Sequence, residues 1–288
     1  MDAMAQRFPG VYWLKPEDPA GTAWHPIKVG ELPKGEHGNG QGYAFAQIEP
    51  GGREEVVFST SHGLFYFRIP SRPAEGNWPR VRVTDNAGEE GFGIGDIDGD
   101  TDLDIVIGDT DGHRVLWWEN PGNGSGDWPG HAVGETAEWA DRVAVADMNG
   151  DGKLDAVVSE ETPLKGASVY WFEQPADPKG RWARHTVTTQ YTTNSMDAAD
   201  MDGDGDTDII TGEHRGTKKL AIWENLDGGA RFAERVISSG RESHLGARVW
   251  DLDGDGDLDI VSIAWDSYPY LHLWRNDAVV NGDRSRAR

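Results

Sequence analysis

Asp200-Met201-Asp202-Gly203-Asp204-Gly205-Asp206-Thr207-Asp208-Ile209-Ile210 sets acidic side chains on alternate positions, glycines where the backbone must turn tightly, and an apolar β-branched run behind them. Carboxylates this dense repel one another unless a positive charge sits among them, and a hard cation taking roughly six to eight oxygen ligands is the natural counter-charge. The same frame begins at Asp96, Asp147 and Asp251. Successive starts lie about fifty residues apart, the length of a propeller blade. One interval before Asp96, Gln47-Ile48-Glu49-Pro50-Gly51-Gly52-Arg53-Glu54-Glu55-Val56-Val57 keeps the frame with most acidic positions lost. The chain therefore holds five repeats.

Each repeat carries four strand-like pieces. One enters the acidic loop, as in Arg142–Ala146, and one leaves it, as in Asp104–Gly108. A third is aromatic, as in Val115–Asn120, Val169–Gln174 and Ala221–Asn225. The fourth sets an aromatic five residues before an aliphatic: Trp78 and Val83, Trp128 and Val133, Trp182 and Val187, Phe232 and Ile237. Short β-branched runs between Gly, Pro, Asn and Asp read as antiparallel strands. The expected fold is all-β, a propeller of four-stranded antiparallel blades over residues 8–276. Its repeats span about 43–84, 91–134, 140–188, 195–237 and 245–276, before a polar tail, 277–288. The simplest closure gives the last blade its fourth strand from residues 24–29, making five blades and leaving 11–14 as a surplus strand. Six blades, or part of a seven-bladed ring, are the alternatives.

Composition narrows the function. The formal net charge of -23 disfavours nucleic acid and anionic membrane as partners. No apolar run approaches the ~20 residues of a membrane span. With no Cys there is no disulfide framework, thiolate metal site or cysteine nucleophile. Residues 1–10 lack the basic and apolar regions of a signal peptide, so a cytoplasmic location is expected unless a leader has been removed, which would make the protein secreted or periplasmic. The oligomeric state is not legible.

Asp-x-Asp-Gly-Asp-Gly-Asp-x-Asp-Ile/Leu-Val/Ile, best matched at 200–210 and 251–261, resembles the VCBS/FG-GAP repeat family of β-propellers, which includes the integrin α-subunit head. Trp-Trp-Glu-Asn-Pro at 117–121 and Trp-x-x-His-x-Val at 128–133 are similar to members acting on carbohydrates, among them aldos-2-ulose dehydratase-like proteins and propeller polysaccharide lyases. The resemblance implies about four structural calcium ions. In such loops, positions 1, 3, 5 and 9 donate side-chain oxygens and position 7 a carbonyl. The expected ligands are Asp96, Asp98, Asp100, Asp102 and Asp104; Asp147, Asn149, Asp151, Lys153 and Asp155; Asp200, Asp202, Asp204, Asp206 and Asp208; and Asp251, Asp253, Asp255, Asp257 and Asp259. Thr101 stands where the other loops have Gly. Loop one is expected to hold no cation, because Gly51 has no ligand side chain and Glu54 and Glu55 break the alternation.

The chemistry is expected at the opposite face, where loops between second and third strands, and between blades, open. His131 and His185 occupy a repeated strand position and read as packing residues. His37, His62, His113, His214 and His244 fall outside the strand register and, with Tyr191, are the acid–base or metal candidates. Arg142, Arg215 and Arg241 are candidates to hold a sugar carboxylate, and Trp139, Trp265 and Tyr268 to contact a sugar. Trp13, Trp118, Trp171, Trp223 and Trp274 read as one repeated core position. One central carbohydrate site is the expectation, a lyase or dehydratase using His and a divalent metal, the latter a second one besides the calcium ions and held in the central funnel. A lectin-like module and a protein-interaction scaffold are the alternatives.

Overall fold

The computed structural model describes residues 3–7, 9–34, 42–162, 165–240, 244–264 and 270–277. The short apolar runs are strands throughout. At the N-terminus they are β1 (Ala3–Arg7), β2 (Gly10–Pro16) and β3 (Trp24–Glu31); the first repeat supplies β4 (Tyr43–Ala46), β5 (Glu55–Thr60), β6 (Gly63–Arg68) and β7 (Arg80–Thr84). The second repeat gives β8 (Phe92–Gly95), β9 (Asp104–Gly108), β10 (Arg114–Trp118) and β11 (Gly130–Glu135), and the third β12 (Trp139–Ala146), β13 (Asp155–Glu161), β14 (Lys165–Glu173) and β15 (Ala183–Tyr191). The fourth holds β16 (Thr193–Ala199), β17 (Asp208–Glu213), β18 (Leu220–Asn225) and β19 (Phe232–Ser238), and the fifth β20 (His244–Trp250), β21 (Asp259–Ala264) and β22 (Leu271–Trp274). No helix among the described residues is long and apolar enough to cross a membrane.

The five repeats are five antiparallel blades of a β-propeller. Repeats one to four each make a four-stranded sheet in simple sequence order, and the fifth makes a three-stranded one. The N-terminal closure differs from expectation. β3 pairs with β2, Ile27 opposite Trp13, and β2 pairs with β1, so these strands form a three-stranded sheet of their own. The surplus strand at 11–14 is the middle of that sheet. The reason is chain connectivity. A short turn joins β2 to β3, held by Asp18 accepting the Thr22 and Ala23 N–H groups at 3.1 and 2.8 Å. Local pairing costs far less closure entropy than reaching a strand at the other end of the chain. The fifth blade accordingly presents β22 with Leu271 and Leu273 exposed.

The chain divides into two compact units, Met1–Gly112 with Leu116–His131, and His113–Val115 with Ala132–Arg288. In the first, one core cluster joins Val11, Val29, Phe58, Phe67 and Trp78, and another Val57, Tyr66, Ile105 and Trp118. In the second, Met148, Val157, Trp171, Met196, Ile209 and Trp223 pack together. The tryptophan register needs correction at Trp171 and also at Trp13, which pairs with Ile27 three residues after Trp24 as Trp171 pairs with His185 three after Trp182. Phe172, opposite Ala156, holds the place of Trp223 and Trp274, opposite Ile209 and Ile260. Trp171 is one residue earlier and so faces the other side of its sheet.

A repeated carboxamide ties blade to blade. Asn120 Nδ2 donates to Ile48 O at 2.8 Å, Asn225 Nδ2 to Met148 O at 2.9 Å, and Asn276 Nδ2 to Met201 O at 2.7 Å. Each thus reaches from the end of a third strand into an earlier blade's acidic loop. Asn225 is fully buried, and its Oδ1 also accepts the Gly229 N–H at 2.8 Å. Asn225→Ala strips partners from buried backbone groups and should cost about 3 kcal/mol of stability, measured by urea unfolding. A loss under about 0.5 kcal/mol would show that the tie carries no weight.

Candidate functional site

The acidic loops share one hydrogen-bond plan. The first aspartate accepts two backbone N–H groups across the turn: Asp200 Oδ1 takes Gly203 at 2.7 Å and Oδ2 takes Gly205 at 3.0 Å, and Asp96, Asp147 and Asp251 do likewise. The ninth-position aspartate closes the loop. Asp208 Oδ2 accepts the Met201 N–H at 2.9 Å and Oδ1 the Asn225 N–H at 2.8 Å. Asp104, Asp155 and Asp259 repeat both bonds. The turn needs a left-handed residue at its sixth position: Gly152, Gly205 and Gly256 have φ of 83°, 99° and 99°, and Thr101 is forced to 81°. A β-branched residue is strained there, so Thr101→Gly should stabilise the protein by about 1 kcal/mol in thermal unfolding. A destabilised variant would mean that the threonine side chain, and not its backbone, matters at this position.

The donor set suits calcium. Asp96, Asp98 and Asp104 bring carboxylate oxygens within 4.8 Å of one another, as do Asp200, Asp202 and Asp208, and Asp251, Asp253 and Asp255. All are hard oxygen donors. Without a counter-charge these groups are held against their chemistry. Burial, ahead of neighbouring carboxylates, pushes Asp98 and Asp202 up. Burial also pushes Asp104 and Asp208 up to about 7 and Asp155 to about 6, against the backbone hydrogen bonds that favour their ionised forms. Groups raised in the folded state hold protons there that the unfolded chain has released, so stability falls as pH rises between about 4 and 7. In chelator, the unfolding midpoint should therefore be higher near pH 5 than near pH 8, and saturating calcium should abolish that order. A chelated protein more stable at the higher pH would contradict this.

The loops differ in their counter-charges. In loop one, Gln47 Nε2 donates to the carbonyls of Glu49, Gly51 and Arg53 at 2.6, 3.2 and 3.4 Å. Glu55 takes the closing role, accepting the Ile48 and Glu49 N–H groups at 3.0 and 3.1 Å. Arg68 Nε donates to Glu49 Oε1 at 2.7 Å, and Tyr66 also donates to that oxygen. In loop three the Lys153 ammonium donates to Asp151 and holds it below the usual carboxylate range. At the third-strand position of Arg68, blades two to four carry Glu119, Glu173 and Glu224, and blade five carries Arg275. Glu119 and Glu173 face His131 and His185 at 2.7 and 3.0 Å, with those imidazoles lying on Trp117 and Trp171.

His62, His113 and His214 lie in turns between second and third strands, the first two exposed and the third half-buried. In the second unit Arg142 and His214 meet through Asn194. Arg142 Nε donates to Asn194 O at 3.1 Å, and its Nη1 to Asp141 Oδ1 at 3.3 Å. Asn194 Nδ2 donates to Asp141 Oδ1 at 3.4 Å, so its Oδ1 is left to accept from His214 Nδ1 at 3.1 Å. Arg142 is buried in this network. Tyr191 packs its ring on Gly216, Arg215 is exposed, and Trp139 is 36% exposed. His37, Arg241, Trp265 and Tyr268 lie outside the described residues, as does the side chain of His244.

A cavity of about 510 Å³ in the first unit has no motif to announce it. Trp13, Phe45, Arg53, Glu54, Ile69, Pro73 and Trp78 line it. The Trp13 and Trp78 ring centroids are 6.2 Å apart with planes inclined at 43°, and Trp78 Nε1 is fixed on Pro73 O at 3.0 Å. Tyr66 and Trp171 occupy the register of Trp13: the three pair with Val81, His185 and Ile27, each three residues after a fourth-strand tryptophan. Tyr66 donates to Glu49, and Trp171 to Gly229, whose carbonyl accepts its indole N–H at 3.1 Å. The clue in the sequence was only that Trp13 and Trp78 recur in register with residues elsewhere.

A family profile described as FG-GAP-like repeat matches residues 96–158 and 200–262. The chain thus carries FG-GAP-like repeats in a β-propeller. Among solved structures it is similar to a lectin of Agrocybe aegerita that recognises non-reducing terminal N-acetylglucosamine, at 18% identity and a TM-score of 0.55, covering 98% of this chain and 81% of that one. It is also similar to a chain in the crystal structure of a nidogen/laminin complex, at 11% identity and a TM-score of 0.56, covering 92% and 85%. Both likenesses speak for the fold. No curated protein matches.

Proposed function

We propose that this chain is a lectin-like carbohydrate-binding propeller whose sugar site is the Trp13–Phe45–Trp78 cavity. The observation that carries the reading is that cavity's make-up. Its volume of about 510 Å³ falls in the range of small-ligand pockets, and its walls combine aromatic faces with two charged side chains. A pyranose has an apolar C–H face and a rim of hydroxyls. Indole rings suit the first, and the Arg53 guanidinium and Glu54 carboxylate suit the second by donating and accepting hydrogen bonds. The fold likeness to an N-acetylglucosamine-binding lectin supports the ligand class. The acidic loops are the structural calcium sites of this reading.

Elimination chemistry, by a lyase or dehydratase, is the second reading. Its support is the His214–Asn194–Asp141 chain, which fixes the orientation of the His214 imidazole through Nδ1. The same network holds Arg142 inside the fold, away from the role of a sugar-carboxylate clamp.

A glycan array followed by calorimetry separates the two. The chain should bind glycans with terminal N-acetylated or neutral sugars, and Arg53→Ala and Trp13→Ala should each weaken that binding about tenfold or more, the scale of a lost charged hydrogen bond or stacking face. Folded protein that binds no glycan, or binding indifferent to both substitutions, would sink the site. Formation of an unsaturated sugar product that is lost in His214→Gln would favour the elimination reading instead.

A further inference from the structure

Loop five combines the features of two other loops. Its acidic positions are those of loop four, aspartate at 251, 253, 255 and 259. Its third-strand neighbour is the arginine of loop one. Arg275 Nε lies 3.2 Å from Asp253 Oδ2, and Nη2 lies 3.4 Å from Asp255 Oδ2. These are two of the three carboxylates that converge in that loop. Nε also donates to Asp277 Oδ1 at 2.7 Å. In loop one the corresponding arginine, Arg68, holds Glu49 in the same manner, at 2.6 Å.

We infer that Arg275 is a built-in counter-ion of loop five, which competes with calcium there and makes this loop a weaker divalent site than loops two and four. Loops two and four set a glutamate, Glu119 or Glu224, where loop five has the arginine. Glu119 faces His131 and Glu224 is paired with Arg235 at 2.5 Å, so in those two blades the resident donors stand on the glutamate, whereas Arg275 bonds the aspartates of its loop directly. Loading loop five requires the guanidinium to leave Asp253 and Asp255, and Asp277 offers it an alternative partner within the same reach. The side chain is 63% exposed, so it can move without disturbing the core. Solvent also screens its hold on the loop, which keeps the site fillable and not blocked.

Calcium is titrated into the full, chelator-stripped chain by isothermal titration calorimetry. The unaltered protein should show tight sites and weaker ones, with loop five among the weaker, and Asp253→Asn should remove one weaker site. Arg275→Gln should tighten the loop-five site about tenfold, the scale of two exposed ion pairs and their entropy, leaving the tight class unchanged. Asp277→Asn, which removes the alternative partner, should weaken the loop-five site further. Thermal unfolding in chelator gives the independent readout: Arg275→Gln should lower the midpoint without calcium and widen the gain on adding it. The inference is overturned if Arg275→Gln leaves the weaker class unchanged or weakens it, or if Asp253→Asn removes a tight site.

Discussion

In four successive blades one aspartate side chain accepts a backbone N–H from the loop it closes and a second from the end of the third strand. Asp104, Asp155, Asp208 and Asp259 are almost fully buried as they do so. Three strands of each blade are pinned by one carboxylate, and in the second, fourth and fifth blades the carboxamide beside it pins the blade to an earlier loop. At Asp104, Asp155 and Asp208 the arrangement carries a cost, since burial opposes ionisation of the acid whose ionised form makes the better acceptor. A cation bound there would relieve that opposition and would couple the blades to ion supply through the group that holds their strands together.

How the loops differ follows from which charge stands at one third-strand register. Glutamate there deepens the demand for a cation; arginine supplies one from the chain. Lys153 acts similarly on loop three from within the loop. The repeats share backbone geometry while their electrostatics vary by single residues, as expected when hydrogen bonds to the main chain set the turn and side chains facing solvent set its charge.

Much of this was legible in the sequence. Alternating aspartates, paired glycines and β-branched runs are local signals, and they located the five blades and their loops. Thr101 was visible as a departure, and its positive φ is the outcome. The closure was not legible, because residues 24–29 look the same whichever strand they pair with; the short turn held by Asp18 decided it. Trp171 was placed one residue out of register, an error that reverses a side chain's face in any strand. Arg142 read as a candidate to hold a sugar carboxylate, but folding brings Asn194 to it and buries it beside Asp141. The aromatic cavity draws on residues 13, 45, 53 and 78, which no spacing rule connects.

Gln47 has a consequence of its own. Its amide nitrogen sits among three loop carbonyls in the manner of an ion, but it is covalently part of the chain and cannot be washed out. Arg53 contributes one of those carbonyls and also lines the Trp13–Trp78 cavity. The wall of that cavity is therefore latched by a permanent donor, and its shape should persist in media too poor in calcium to keep the later blades at full strength.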